Sequence, residues 1–145
     1  MDKDIHKQPV GFMLERTTRV VKLKFHRLFK ELGIEMTPEQ WVMMDALHVR
    51  NDQSQKELAN ASFKDAPTIS RSIDVLEKKA WVVRNPSPED RRIYIIHQTS
   101  EGQALTKRVL KKVENIRTQG WEGLNSKDYE DFTRIINKVF ENYSS

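Results

Sequence analysis

The chain has 145 residues, of which 32% are charged and 37% hydrophobic, with a formal net charge of +4 and no cysteine. Without cysteine there can be no disulfide, no thiolate zinc site and no sensing of peroxide through thiol oxidation. No stretch approaches the ~20 consecutive apolar residues of a membrane span, and the N-terminus lacks the apolar core of a secretory signal. We therefore expect a cytoplasmic protein with no membrane partner.

Two helices are predicted at the start of the chain. Apolar side chains recur every three or four residues from Val10 to Leu32, and Gly33 ends this pattern. The second helix begins with the sequence TPEQ at residues 37–40, where the threonine is the predicted N-cap and the glutamine closes a capping box. Its apolar face begins at Trp41.

A short helix, a turn, a further helix and a hairpin are predicted next. The sequence SQKE at residues 54–57 repeats the capping-box pattern and begins the short helix. The following helix begins at Pro67 and carries Ile69, Ile73 and Leu76 inward. β-Branched and aromatic residues then flank a polar turn, which predicts a two-stranded hairpin with arginines at its tip. This order of elements is typical of a winged helix-turn-helix.

Two more helices are predicted to complete a mainly α (α+β) fold. The first begins at Thr99 or Ser100, residues 120–125 interrupt the pattern, and the last helix begins at Ser126. We predict a winged helix-turn-helix domain at residues 37–102. The N-terminal helix (8–33) and the C-terminal helices (103–145) carry apolar stripes that such a small domain cannot cover alone, so they are predicted to form a dimerisation lobe. The alternative is that they fold back onto their own winged domain.

The chain resembles the MarR family of bacterial transcription factors (multiple antibiotic resistance regulators). The residues that carry the resemblance are QKELA at 55–59, PTISRSIDVLEKK at 67–79, PSPEDRR at 86–92 and TSEG at 99–102, and TPEQW at 37–41 is similar to the family's second helix. Two positions depart from the family pattern. Ala80 stands where a glycine commonly ends the recognition helix, and Gln98 replaces a buried leucine. The recognition helix therefore either ends in a different way, or has a left-handed residue at Ala80 that costs about 1 kcal/mol.

The helix that begins at Pro67 is the predicted recognition helix, whose first residues face base edges in the major groove. Arg71 can form a bidentate pair with guanine, and Thr68 and Ser70 are short enough for close approach to bases or phosphates, with Ser72 on the flank. The alternative for Thr68 is a residue that only stabilises the first helical turn, and for Arg71 a solvated surface cation.

At the wing, the resemblance implies that Asp90 pairs with a nearby arginine to shape the tip. It also implies that Arg91 or Arg92 enters the adjacent minor groove, whose negative potential attracts a guanidinium. The sequence leaves open which arginine enters, and also whether both only pair with the neighbouring acidic residues. The candidates for phosphate contacts are Lys56, Lys64, Lys78, Lys79 and Arg84. The alternative for each of them is an ordinary solvated cation.

The resemblance also implies a small aromatic or anionic effector, bound in a crevice between the dimerisation lobe and the winged domain. The residues predicted to line that crevice are Phe12, Arg16, His26, Trp41, Met44 and His48. Trp41 and Met44 could equally belong to the core, and His48 could simply be hydrogen-bonded.

The sequence therefore predicts a homodimeric, MarR-type transcriptional regulator, acting by repression on a palindromic operator in double-stranded DNA. The alternative is a winged-helix module for protein–protein interaction that does not read DNA. We expect no enzyme, no cofactor and no metal site, because the histidines lack metal-ligand spacing and there is no glycine-rich phosphate loop. Those histidines are His6, His26, His48 and His97.

Overall fold

The computed structural model describes residues 9–145, so His6 and Gln8, the first residue of the predicted N-terminal lobe segment, lie outside the described residues. Six helices and three short strands are found in this range. In chain order they are α1 (Val10–Glu31), α2 (Pro38–Val49), β1 (Gln53–Ser54), α3 (Gln55–Ser62), α4 (Ala66–Lys78), β2 (Val82–Pro86), β3 (Tyr94–Gln98), α5 (Ser100–Gly120) and α6 (Ser126–Ser144). The predicted order of helices is confirmed.

The strands form one antiparallel sheet in the order β1-β3-β2. The predicted hairpin is β2 and β3, which pair from Val82 with Gln98 to Pro86 with Tyr94. The hairpin is confirmed, but the sequence did not predict the third strand, β1, which places Gln53 opposite Ile96. A two-residue strand is too short to show any periodicity in sequence. The side chain of Gln53 donates to the backbone oxygen of Ala46 at 2.9 Å, so the same residue also closes the end of α2.

The helix starts follow the capping patterns in the sequence. Both predicted capping boxes, at residues 37–40 and 54–57, have their two reciprocal hydrogen bonds. Helix α4 begins one residue earlier than predicted, at Ala66, because Asp65 caps it by accepting from the backbone N–H of Thr68 at 2.7 Å. Hydrogen bonds from Thr68 lower the pKa of the Asp65 carboxyl, so the cap is ionised at neutral pH.

Three of the helices described above end at a residue in the left-handed conformation: α3 at Phe63, and α1 and α4 as follows. Gly33, with φ 66°, ends α1 as predicted. Ala80, with φ 59°, does the same for α4 although it has a side chain. Its N–H donates to the oxygen of Glu77 at 2.9 Å, and the N–H of Trp81 donates to that of Leu76 at 3.1 Å. This is the hydrogen-bond pattern of a Schellman motif, which glycine usually permits.

The buried core lies between α2, α3, α4 and the sheet. Helix α4 contributes the three residues that the sequence predicted to face inward, Ile69, Ile73 and Leu76, each at most 2% exposed. The other fully buried side chains in this part of the chain include Phe29, Met43, Met44, Leu47, Leu58, Val82, Ile96 and Val109. This core holds α4 rigidly, so that its opposite face is presented to solvent.

A buried polar network explains why Gln98 is tolerated in place of an apolar residue. Its side-chain nitrogen donates to the backbone oxygen of Met44 at 2.9 Å and to the hydroxyl of Thr106 at 2.8 Å. Thr106 in turn donates to the oxygen of Gly102 at 2.8 Å. A buried amide is costly only when its hydrogen bonds are unmade. Here both donor hydrogens of Gln98 have acceptors, on α2 and on α5.

The threonine and glycine of the TSEG sequence connect the end of α4 to the start of α5. Thr99 caps α5 by accepting from the N–H of Gly102 at 3.0 Å, and its hydroxyl donates to the oxygen of Ala80 at 2.6 Å. A Cβ on Gly102 would collide with the carbonyl of Trp81. Glycine is therefore required here for close approach of two backbone segments.

The chain folds into two compact units, which divide between Lys112 and Val113. In the second unit, Trp121 packs edge-on against Tyr129 and Phe132, with ring centroids 5.1 and 5.7 Å apart. Helix α6 has no buried residue, and the apolar side chains that it leaves exposed are Tyr129, Phe132, Ile135, Phe140 and Tyr143. Within residues 9–145, no helix combines the length and the apolar character needed to cross a membrane.

Candidate nucleic-acid interface

The solvent face of α4 carries the residues predicted to read DNA bases. An α-helix turns about 100° per residue, so Arg71 lies on the side opposite Ile69 and Ile73, and it is exposed. Its guanidinium donates to the hydroxyl of Thr68 at 3.3 Å. Thr68 and Arg71 therefore form one polar patch at the start of the helix, next to the Asp65 cap.

Four other predicted contacts of the helix-turn-helix lie elsewhere. Ser70 faces the wing, where it contacts Arg84. Ser72 is half-buried and lines a cavity on the other flank of α4. Lys56 lies at the second position of α3 and is exposed. Lys79 contacts the backbone oxygen of Glu35 and lies 5.0 Å from the ring centroid of Trp81, so its ammonium is already engaged.

Arg84, predicted to contact a phosphate, is used inside the protein. Its side chain, on β2, is only 16% exposed. Its Nε donates to Gln55 of α3 at 3.0 Å, its Nη2 to the backbone oxygen of Ser70 at 3.0 Å, and its Nη1 to Asp74. All three nitrogens thus have protein acceptors, and the residue joins the wing to α3 and α4. No pattern in the sequence signals this role, because its partners lie 10 to 29 residues away.

The tip of the wing is shaped by a bidentate ion pair between Asp90 and Arg92. The Nε and Nη2 atoms of Arg92 donate to the two carboxylate oxygens at 3.1 and 3.0 Å, and its backbone N–H adds a bond of 3.0 Å. These bonds lower the pKa of the Asp90 carboxyl and raise that of Arg92. The Arg92 side chain nevertheless remains 91% exposed, against 34% for that of Asp90. The pair fixes an arginine that still faces solvent.

Arg91 differs from its neighbour in that it has no partner among the residues that the structure describes, and it is exposed. The turn that carries both arginines is closed by backbone bonds, from Ser87 to the oxygen of Ile93 at 2.7 Å and from Ile93 to that of Asp90 at 3.0 Å. The two wing arginines are therefore distinct: Arg92 is held by a carboxylate, and Arg91 is free to move.

A cavity of about 380 Å³ lies in the first unit between α1, α2, α3 and α4. Its walls are mostly apolar, with Trp41 and Phe25 among them, and they carry Lys22, Lys64 and the inner flank of α4. Lys22 pairs with Glu39 at 2.8 Å and lowers the pKa of that carboxyl. A flat, apolar molecule with a polar edge fits such walls.

Only one of the six residues predicted to line an effector crevice lines this cavity, namely Trp41. Met44 is fully buried in the core, and His48 is exposed at the end of α2. His26 lines a separate, shallow depression. The other two, Phe12 and Arg16, contact each other on the surface of α1, with the guanidinium 5.8 Å from the ring centroid. Sequence patterns indicate which residues have suitable chemistry, but they do not indicate which helix faces meet in the fold.

Within the described part of the chain, no cluster of three or more histidine, aspartate or glutamate side chains has a geometry that could hold a metal ion. Arg71 on α4 and Arg91 and Arg92 on the wing are instead exposed donors, suited to the acceptor groups of nucleic acid.

Comparisons with known proteins agree with this geometry. Residues 36–94, which run from the start of α2 to the wing, match the family model described as the MarR family. The resemblance seen in the sequence is thereby confirmed.

Solved structures share the fold along nearly the whole chain. A transcriptional repressor, CouR, bound to a 23-mer DNA duplex, is 25% identical, with a TM-score of 0.76 and 92% of each chain covered. MepR of S. aureus, solved as a DNA complex, is 18% identical, with a TM-score of 0.84 over 94% of this chain and 99% of that one. BpsR of Bordetella bronchiseptica, whose DNA binding is regulated by 6-hydroxynicotinic acid, is 22% identical, with a TM-score of 0.81 over 92% and 94%. The predicted winged-helix fold is confirmed.

Proposed function

We propose that this chain, a member of the MarR family of winged-helix regulators, binds operator DNA as a homodimer and represses transcription. One observation carries the proposal. Arg71 on α4 and Arg92 on the wing both face solvent, and Arg84 bonds the two elements that carry them to each other. Two exposed guanidinium groups on adjoining elements suit a surface that follows DNA from one groove into the next.

In the proposed complex, the start of α4 enters the major groove. Arg71 pairs with the O6 and N7 atoms of a guanine, a contact worth about 1–3 kcal/mol of discrimination against other bases. Thr68 and Ser70 bond bases or phosphates close to the helix. Ser72 lies on the flank, and Lys56 at the start of α3 contacts a phosphate. These contacts supply both register and sequence preference.

At the wing, we assign the minor-groove role to Arg92. Asp90 already holds its guanidinium in a fixed orientation, so insertion costs less side-chain entropy than it would for the unpaired Arg91. Arg91 is the better candidate for a neighbouring phosphate, because a free side chain can adapt to a flexible backbone. Asp90 acts through Arg92 and does not touch the DNA.

The exposed apolar side chains of α6 support the homodimer. Residues 8–33 and 103–145 are proposed to form the dimerisation lobe, and residues 37–102 the DNA-binding domain. A two-fold pair places two recognition helices about one helical turn, ~34 Å, apart, so the operator is an inverted repeat. Phe132→Glu, which puts a charge on this face, should yield monomers in sedimentation velocity at concentrations where the wild type is dimeric. A wild type that stays monomeric at micromolar concentration would contradict the dimer.

The cavity beside α4 is the proposed effector site. Its apolar walls suit an aromatic ring. Because Lys22 is already paired with Glu39 in the same lining, Lys64 is the lysine that would attract an anionic group. Because the cavity includes residues Thr68 and Ser72 of the recognition helix, an occupant would act directly on the orientation of that helix. BpsR, a protein of this fold, is regulated by such a compound, 6-hydroxynicotinic acid.

The test is selection of bound sites from random DNA duplexes by the purified protein. We expect an inverted repeat to emerge, with binding that weakens steeply between low and moderate salt. Arg71→Ala should lose sequence preference and keep part of the nonspecific affinity. Arg92→Ala should weaken binding to all sequences more than Arg91→Ala does. Failure to enrich any sequence, together with salt-insensitive binding to another protein, would favour the interaction module instead.

A further inference from the structure

We propose that Arg84 is a positioning residue for DNA recognition, which orients the hydroxyl of Ser70 and sets the recognition helix against the wing. This inference rests on the proposed function, because it concerns how that interface reads DNA. It also replaces the phosphate contact that the sequence suggested for Arg84.

The guanidinium of Arg84 joins the wing to two helices. It fans out from β2 to acceptors on both of them: Gln55 on α3, and Ser70 and Asp74 on α4. Glu77, one turn further along α4, accepts from the backbone N–H of Arg84 at 3.1 Å and lies 3.6 Å from Nη1. A planar fork with bonds in several directions fixes the relative orientation of the elements it joins.

The hydroxyl of Ser70 faces Arg84. A serine hydroxyl has one hydrogen to donate and two lone pairs that accept. The Nη2 atom of Arg84 lies 3.4 Å from the Ser70 oxygen, so one lone pair faces the arginine. A serine or threonine in a helix often donates to the carbonyl four residues earlier, as Ser62 and Thr106 do here. Ser70 makes no such bond among the described residues, so its hydrogen is available to an outside acceptor.

Arg84 is poorly placed for a direct contact with a phosphate. Each of its nitrogens already has a protein acceptor, and only 16% of the side chain is exposed. A phosphate contact would release a counterion and contribute about 0.9 to the slope of log affinity against log salt. A positioning residue contributes nothing to that slope. The two roles therefore differ in a measurable quantity.

The experiment compares Arg84→Met, Arg84→Lys and Ser70→Ala with the wild type, on the duplex that the wild type selects and on a scrambled duplex. We expect Arg84→Met to lose about 10-fold of the preference between the duplexes, the size of one lost base contact, with an unchanged salt slope. Arg84→Lys should not restore the preference, since one ammonium cannot span three acceptors. Adding Ser70→Ala to Arg84→Met should cost no further preference.

Asp74→Asn provides a second route to the same answer. This substitution weakens the ion pair with Arg84 by changing its partner on α4. Because 53% of the Asp74 side chain is exposed, the fold should tolerate the change. Removing a negative charge near DNA should tighten binding on charge grounds alone, whereas loss of positioning should weaken the preference. Thermal melting followed by circular dichroism accompanies each variant and shows whether it is folded.

The outcomes separate the inference from the function on which it rests. If the wild type selects no sequence, the proposed function fails. If it does select one, and Arg84→Met keeps the preference, the positioning role is refuted. It is also refuted if Arg84→Met lowers the salt slope by about one and Arg84→Lys restores it, because that result identifies a phosphate contact.

Discussion

Ala80→Gly should stabilise the protein, although substitution by glycine usually does the reverse. Ala80 is held at φ 59°, where a side chain costs about 1–2 kcal/mol. It is exposed, so that little packing is lost, and the Schellman hydrogen bonds at 2.9 and 3.1 Å are made by backbone atoms that remain. Glycine gives back about 0.4–1 kcal/mol through the greater freedom of the unfolded chain. The free energy of unfolding should therefore rise by about 0.5–1 kcal/mol.

Urea denaturation at one fixed protein concentration measures this change, and the melting temperature should rise by about 2–3 °C. The matched control is Ala104→Gly, the same chemical change at an exposed position within α5. There the residue is helical, and glycine should cost about 1 kcal/mol. Opposite signs at the two positions would confirm that backbone strain is the cause. A loss of stability in Ala80→Gly would refute the reasoning.

Three further changes test other parts of the structure. Gly102→Ala should destabilise the fold by about 3 kcal/mol in denaturant titration, because its Cβ collides with the backbone of Trp81; a fully stable variant would contradict this. Gln98→Leu should cost about 1–2 kcal/mol, and adding Thr106→Val should recover part of it, since it removes the hydroxyl that has lost its donor while the Met44 carbonyl still lacks that donor; additive losses would show that the two residues are not coupled. Asp90→Ala should weaken DNA binding in a fluorescence titration at pH 7, where the lowered pKa keeps the carboxyl ionised, although it removes a negative charge; tighter binding would mean that the carboxylate only repels DNA.

Much of the fold follows from local sequence. The capping boxes at residues 37–40 and 54–57, the stop at Gly33 and the inward stripe of α4 all depend on residues within a few positions of one another. The resemblance implies that Asp90 pairs with a nearby arginine, but only the structure identifies that arginine as Arg92. Asp65 lies three residues before Thr68, which is the spacing of an N-cap, but Pro67 favours a helix start one residue after the one observed.

What the sequence did not reveal depends on which elements meet. The sequence suggests a phosphate contact for Arg84 because the residue is basic and lies close to the wing, whereas its actual partners are brought together only by the tertiary fold. The predicted effector residues depend on tertiary packing in the same way: Met44 has suitable chemistry but lies inside the core, whereas Lys64, which lines the cavity, is not among the predicted residues. Strand β1 depends entirely on its neighbour β3.

The bond between Gln98 and Thr106 has a consequence for exchanging parts between relatives. A wing transplanted from a protein with leucine at the position of Gln98 would place an apolar side chain against the hydroxyl of Thr106 and the carbonyl of Met44. Both groups would then lose a hydrogen-bond donor. Conversely, this wing placed in such a relative would bury an amide without acceptors. A functional chimera must therefore move the strand together with the first two turns of the helix that follows it, as one cassette.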